Sequence, residues 1–207
     1  MTTQVYVNDG DVIIVNVTPG QGVTLTFQVL AEAEAPAESW WDVDLRDVLP
    51  RRANCPPPLQ NGWWPRTLAQ INGVTMHHTL ALNVTAVAQG YIGRDGGRPS
   101  IPYHLWVTRD GEVAYCLDLT EGCWHDHTGH QNTHVSVGLA GVLDVTPPTE
   151  AQVWAAARVV RGLLALLPGV TLGSVRGHRD YIATRCPGWG QPPQYHAWRV
   201  AFYAALV

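Results

Sequence analysis

Two short stretches of this 207-residue chain carry residue types that bind metal ions, and they lie far apart in sequence. The first is His77-His78, at the end of the apolar run Ile71 to Met76. The second is His178, followed eight residues later by Cys186 within GHRDYIATRCPG. Two imidazoles and one thiolate would make a three-ligand zinc site with its fourth position open to water, the arrangement that catalytic zinc requires. Bound Zn²⁺ lowers the pKa of its water to about 7 and polarises a carbonyl under attack. The cysteine must be deprotonated to serve as a ligand. The residues alone leave plainer readings open. A His-His pair at a strand end is commonly structural or exposed, and a cysteine before Pro-Gly is commonly a small buried side chain.

The elements that must position these residues follow from the pattern around them. Leu68 to Met76 reads as a buried strand running into His77-His78-Thr79, and Asn83 to Tyr91 as a short helix. Tyr103 to Thr108 and Val113 to Leu117 form a hairpin around Arg109-Asp110-Gly111. Val135 to Leu143 is another apolar strand. Thr149 to Leu167 is the strongest helix: Thr149 stands at its N-cap, Gln152 completes a capping box, and Pro168-Gly169 stops it. Strand Thr171 to Arg176 delivers Gly177-His178, and an amphipathic helix covers Gln194 to Leu206. From residue 67 onward the pattern is therefore α/β. Residues 4 to 30 alternate instead as short strands with turns at Asn8-Asp9-Gly10 and Pro19-Gly20-Gln21-Gly22. The segment Ala31 to Ser39 reads as an acidic linker or frayed helix, and Pro56-Pro57-Pro58 marks an extended arm. The expected division is a β-rich extension and linker over 1–38 and a catalytic domain over 39–207.

Composition narrows the field. An apolar fraction of 46% and a charged fraction of 14% describe a folded chain, and a net charge of -4 with a pI near 6.1 gives no basic footprint for nucleic acid. The N-terminus has acidic residues and no basic region before an apolar run, so no signal peptide is expected and synthesis is placed in the cytoplasm. No stretch of about 18 apolar residues suggests a spanning helix, so no stable membrane insertion is expected. The cysteines Cys55, Cys116, Cys123 and Cys186 are too scattered for a disulfide scaffold, although Cys116 and Cys123 are near enough in sequence to pair.

Four ordered motifs, VTMHHT, IPYHLWVTRDGEV, CWHDHTGHQNTHVSVGLAG and GHRDYIATRCPG, span residues 74 to 188. Together they resemble the type 2 N-acetylmuramoyl-L-alanine amidase family, which includes T7-type lysozyme, animal peptidoglycan recognition proteins and many phage endolysins. The resemblance implies a central mixed β-sheet flanked by helices, with a zinc groove at one edge and the small β-rich extension appended. It implies His77, His178 and Cys186 as the Zn²⁺ ligands, with His78 a neighbour. Tyr103 matches a family tyrosine near the metal, placed to orient water or to donate to a developing oxyanion. Thr184 stands where T7-type enzymes have a lysine and zinc-active recognition proteins a threonine. Trp124 and His125 match a pair that lines the substrate groove, and His125 is a candidate proton donor to the leaving amine. His127, His130 and His134 are loop histidines with no assigned role. Asp180 either orients a ligand histidine or forms a structural ion pair.

The implied activity is hydrolysis of the lactyl-amide bond between N-acetylmuramic acid and L-alanine in peptidoglycan. The implied setting is that of an endolysin from a phage or prophage, acting on the bacterial cell wall, with a monomer as the working expectation. The alternative is a non-catalytic peptidoglycan-binding recognition protein. Such proteins typically lose the cysteine ligand, which this chain retains at Cys186. Cytosolic recycling amidases have an aspartate as third ligand, which Cys186 again argues against.

Overall fold

The computed structural model describes residues 2–8, 11–17, 23–28, 39–52, 63–93, 97–188, 199 and 201–206. In chain order the principal elements are β1 (Thr2–Asn8), β2 (Asp11–Val17), β3 (Val23–Gln28), β4 (Val43–Asp44), β5 (Trp64–Pro65), β6 (Gly73–His78), α1 (Val84–Ile92), β7 (Leu105–Val107), β8 (Val113–Tyr115), β9 (Glu121–Gly122), β10 (His134–Leu139), α2 (Glu150–Leu166) and β11 (Val175–Gly177). The main sheet has the order β11-β6-β10-β7-β8-β4. Its β11-β6-β10-β7 portion is parallel, β7 and β8 form the antiparallel hairpin, and β4 adds in parallel to β8. The sheet is thus mixed, as the motifs led us to expect. Among the described residues, β1, β2 and β3 pair only with one another, as an antiparallel meander. The acidic linker up to Glu38, the proline cluster, Cys55 and most of the C-terminal helix lie outside the described residues. The described part of that last helix, 201–204, is helical.

Every residue of β6 and β10 is buried, the signature of parallel strands covered on both faces. On one face Val74, Met76, Val135, Val137 and Leu139 pack against Ala156, Val159, Val160 and Leu163 of α2. On the other lie Tyr103, Trp106, Ala114 and Ala88 of α1. Helix α2 is fixed at its start by the expected capping box: Gln152 N donates to Thr149 Oγ1 at 3.1 Å and Thr149 N to Gln152 Oε1 at 3.2 Å. The fully buried Gln152 amide also donates to the carbonyl of Ala140 at 3.0 Å, which ties the helix to the end of β10. Trp40 belongs to this core, and the absence of a side chain at Gly162 on α2 makes the space its indole occupies.

Two strands begin later than expected, for one reason. Thr67 and Thr171 each open a 3-10 turn, Leu68–Gln70 and Leu172–Ser174, in which the residue three positions on accepts from the threonine's own N–H. These local bonds hold the chain in a turn until Gly73 and Val175, where ladder pairing takes over.

Candidate metal centre

Strand alternation sends His77 and His78 to opposite faces of the sheet, so only one of the pair can join a cluster on either side. Val74 and Met76 face α2, and His77 faces away from it, toward Tyr103. His178 follows β11 directly. Its 3-10 turn is held by Asp180 Oδ2, which accepts from Gly177 N at 2.9 Å and lies 3.7 Å from Arg199 Nη1. These contacts are those of the ion-pair role expected as one alternative for Asp180. The loop then doubles back: Arg179 N donates to Cys186 O at 2.8 Å, and Arg179 Nη2 to Arg185 O at 2.9 Å. Because β11 and β6 are neighbours, this hairpin-like loop sets Cys186 Sγ 3.4 Å from His77 Nδ1.

The donor atoms of His77, His178 and Cys186 all lie within 4.8 Å of one another. Zinc bonds of about 2.0–2.3 Å in a tetrahedron need donors roughly 3.3–3.6 Å apart, so the set fits a zinc ion after small side-chain adjustments. The two rings are electrostatically suited to it. Burial, then the nearby histidines, hold His77 well below its ordinary value, and burial lowers His178 as well, so both keep a neutral lone pair. Burial pushes the Cys186 thiol up to about 12. A divalent cation is the kind of charge that would reverse that shift.

The opposite ring nitrogens point into the 123–134 loop. His77 Nε2 lies 3.0 Å from His125 Nδ1, and His178 Nε2 lies 3.1 Å from the carbonyl oxygen of Asp126. Tyr103 is buried with its ring centroid 5.7 Å from that of His77, and its phenol is hydrogen-bonded to Tyr91. Burial raises its pKa well above the ordinary value, so it acts as a neutral phenol. Thr184 Oγ1 accepts from Cys186 N at 3.2 Å, so this hydroxyl also shapes the loop that presents Cys186.

Residues 67–189 match the family model described as N-acetylmuramoyl-L-alanine amidase, more than half of the chain. The chain belongs to that family. No curated protein matches it. Among solved structures it is similar to the endolysin LysCS of Clostridium intestinale URNW, at 20% identity and a TM-score of 0.55 over 69% of this chain and 92% of that one. It is also similar to the Ph2119 endolysin from the Thermus scotoductus MAT2119 bacteriophage Ph2119, at 17% identity and 0.57 over 78% and 99%. Human PGRP-IβC in complex with glycosamyl muramyl pentapeptide matches at 19% identity and 0.54 over 64% and 88%. At these identities the likeness is one of fold. The family fold is accordingly present, and among the described residues no helix is long and apolar enough to cross a membrane.

The His125 side chain has no exposed surface. This ring, for which substrate contact and proton donation to the leaving amine are expected, lies against His77 Nε2, on the side remote from Cys186. Trp124 is half-buried among Trp63 and Trp64, with ring centroids 6.1 Å away in both cases, and the Arg98 guanidinium covers one face at 4.0 Å. Cys116 and Cys123 are both free and buried, so they do not pair. His127 is exposed, and His130 stacks on Tyr181 at 4.0 Å between ring centroids.

Gly138, a site residue the sequence reading passed over, is next to His77 in the β6–β10 register. A Cβ there would meet Thr79 Cγ2 at 2.8 Å and the Tyr103 ring at 3.0 Å. A glycine inside an otherwise apolar strand is the available signal for such a close approach. Gly138→Ala should displace the Tyr103 ring and cut hydrolysis by on the order of 10²-fold, with a stability loss of about 1–3 kcal/mol. Wild-type hydrolysis in this variant would show that the ring needs no fixed seat.

A second unforeseen feature is the buried Arg66. It donates to the carbonyls of Leu119 and His134, both at 2.8 Å, and so joins the chain before and at the end of the 123–134 loop, which faces His77 and His178. At the end of that loop His134 is buried, with Nδ1 3.0 Å from Thr75 Oγ1. Burial, followed by the charges of His130 and Arg66, lowers its pKa to about 4. The unfolded chain therefore takes up a proton near pH 6.5 that the folded chain refuses until about 4. Stability is retained above pH 6.5 and lost as the pH falls toward 4, at about 1.4 kcal/mol per pH unit for each such histidine. Melting temperatures across this range should fall with acid, and the fall should be shallower in His134→Gln. An equal slope in both proteins would place the acid sensitivity elsewhere.

Proposed function

We propose that this chain is a zinc-dependent N-acetylmuramoyl-L-alanine amidase that hydrolyses the amide between the lactyl group of N-acetylmuramic acid and L-alanine in peptidoglycan, working as a phage or prophage endolysin. The observation that supports it most is the convergence of His77, His178 and Cys186, a two-nitrogen, one-sulfur donor set with neutral imidazoles. These three side chains would hold the ion. When bound, zinc supplies an activated water at neutral pH and polarises the scissile carbonyl.

The remaining chemistry belongs to the chain. Tyr103 keeps its proton and can donate it in a hydrogen bond to the carbonyl oxygen as negative charge gathers there. Thr184 accepts from Cys186 N and retains a hydroxyl proton to donate from the ligand loop. The fixed backbone of residues 178–188 holds Cys186 against His77 while substrate is turned over. Retention of the Cys186 thiol 3.4 Å from His77 favours catalysis over recognition without cleavage. Peptidoglycan is the proposed partner, and the PGRP-IβC match, a complex with a muramyl pentapeptide, supports that class of ligand.

The test is digestion of purified peptidoglycan with and without chelator, with soluble products read by mass spectrometry. Free stem peptides beginning with L-alanine, lost with chelator and restored by zinc, are expected. Binding without released peptide would turn the assignment to a recognition protein. We further propose that residues 39–207 are the catalytic domain and that 1–38 are an extension and linker. The burial of Trp40 against α2 supports a boundary just before it. A chain beginning at Ser39 should fold and retain hydrolysis. Unchanged binding to sacculi would eliminate a wall-binding role for 1–38, and failure to fold would overturn the boundary.

A further inference from the structure

Two consecutive residues of the 123–134 loop meet the far sides of both ligand histidines, and neither contact is part of the ligand set. For His77 Nδ1, the nitrogen beside Cys186 Sγ, to offer a lone pair, the ring's proton must sit on Nε2. Nε2 lies 3.0 Å from His125 Nδ1, so that nitrogen must accept the proton in a hydrogen bond. His178 repeats the arrangement with a main-chain acceptor: its Nε2 faces Asp126 O at 3.1 Å, which leaves Nδ1 as its lone-pair nitrogen. The carbonyl is itself held in place. Thr128 N donates to Asp126 Oδ1 at 2.8 Å, and the next residue, His127, adopts a left-handed conformation with φ of 56°.

The accepting role carries a cost that is visible in the structure. If His125 accepts at Nδ1, its own proton is on Nε2, and that nitrogen is buried without a hydrogen-bond partner among the described residues. The side chain has no surface exposed to bulk solvent. A buried orphan of this kind destabilises a fold, and its presence calls for a reason. The reason the geometry offers is the orientation of His77.

We propose that His125 and the Asp126 carbonyl act as a paired clamp that fixes the tautomer and ring orientation of His77 and His178, with His125 a positioning residue acting through His77. This proposal rests on the zinc reading above for its functional consequence, but its structural content is testable on the metal-free protein.

The experiment uses the full chain and two readouts. Long-range ¹H–¹⁵N spectra of zinc-free protein report which ring nitrogen carries the proton. Both His77 and His178 are expected as Nε2–H tautomers, with His77 losing this preference in His125→Phe and keeping it in His125→Asn, whose Oδ1 can take the place of the imidazole Nδ1. Competition with a chromogenic chelator then gives zinc affinity. It should fall about 10- to 100-fold in His125→Phe and recover in His125→Asn. An Nδ1–H tautomer of His77 in the wild-type protein overturns the clamp. So does a His125→Phe variant that binds zinc as tightly as wild type, or a folded His125→Asn variant as weak as one lacking the acceptor. A wild-type protein with the expected tautomers that binds no zinc leaves the clamp standing and defeats the zinc reading instead.

Discussion

Cys186→Ser is expected to bring peptidoglycan hydrolysis down to the level seen with chelator while leaving the fold in place. The main chain around residue 186 is held by bonds that do not involve its side chain: Cys186 O accepts from Arg179 N, and Cys186 N donates to Thr184 Oγ1. Serine is nearly isosteric, so the loop should persist and the melting temperature should change little. The chemistry is another matter. A thiolate is a strong zinc ligand and a neutral hydroxyl a poor one, and losing even an outer partner of a metal site costs about 10- to 100-fold. Loss of the sulfur itself should exceed that. Zinc content, melting temperature and released stem peptide would be measured together. A serine variant that is folded, contains zinc and cleaves at the wild-type rate would remove Cys186 from the site.

Tyr103→Phe is expected to keep zinc and lose about 10²- to 10³-fold in rate, the range found when one oxyanion donor is removed. The ring fills space over Gly138, and phenylalanine preserves that packing. What disappears is one hydroxyl, held neutral by burial and hydrogen-bonded to Tyr91. A kcat loss at unchanged KM would mark a contact that matters only as charge develops. If Tyr91 alone were the hydroxyl's business, the variant would be less stable but equally active, and Tyr103 would be a packing residue.

Much of the framework was legible because it depends on local pattern. The capping box of Thr149 and Gln152 and the hairpin between Leu105–Val107 and Val113–Tyr115 are each set by neighbours in sequence, and the apolar run Val135 to Leu139 marks a strand whatever buries it. The candidate ligands were legible as residue types at strand ends. Strand starts were less so, since Thr67 and Thr171 hold 3-10 turns that compete with apolar residues well suited to strands.

By itself the sequence determined the α/β order of elements, the family motifs and the three residues with metal-binding chemistry. Tertiary structure decided how they are used. The pairing of β6 with β11 brings His178 and Cys186 to His77, and strand alternation leaves His78 out. Packing set His125 against the far nitrogen of His77 and placed Gly138 beneath the Tyr103 ring. Local propensity acts over a few residues and can be read along the chain. Which nitrogen faces a sulfur and which faces another ring depends on residues 48 and 109 positions away, and only the folded sheet sets that geometry.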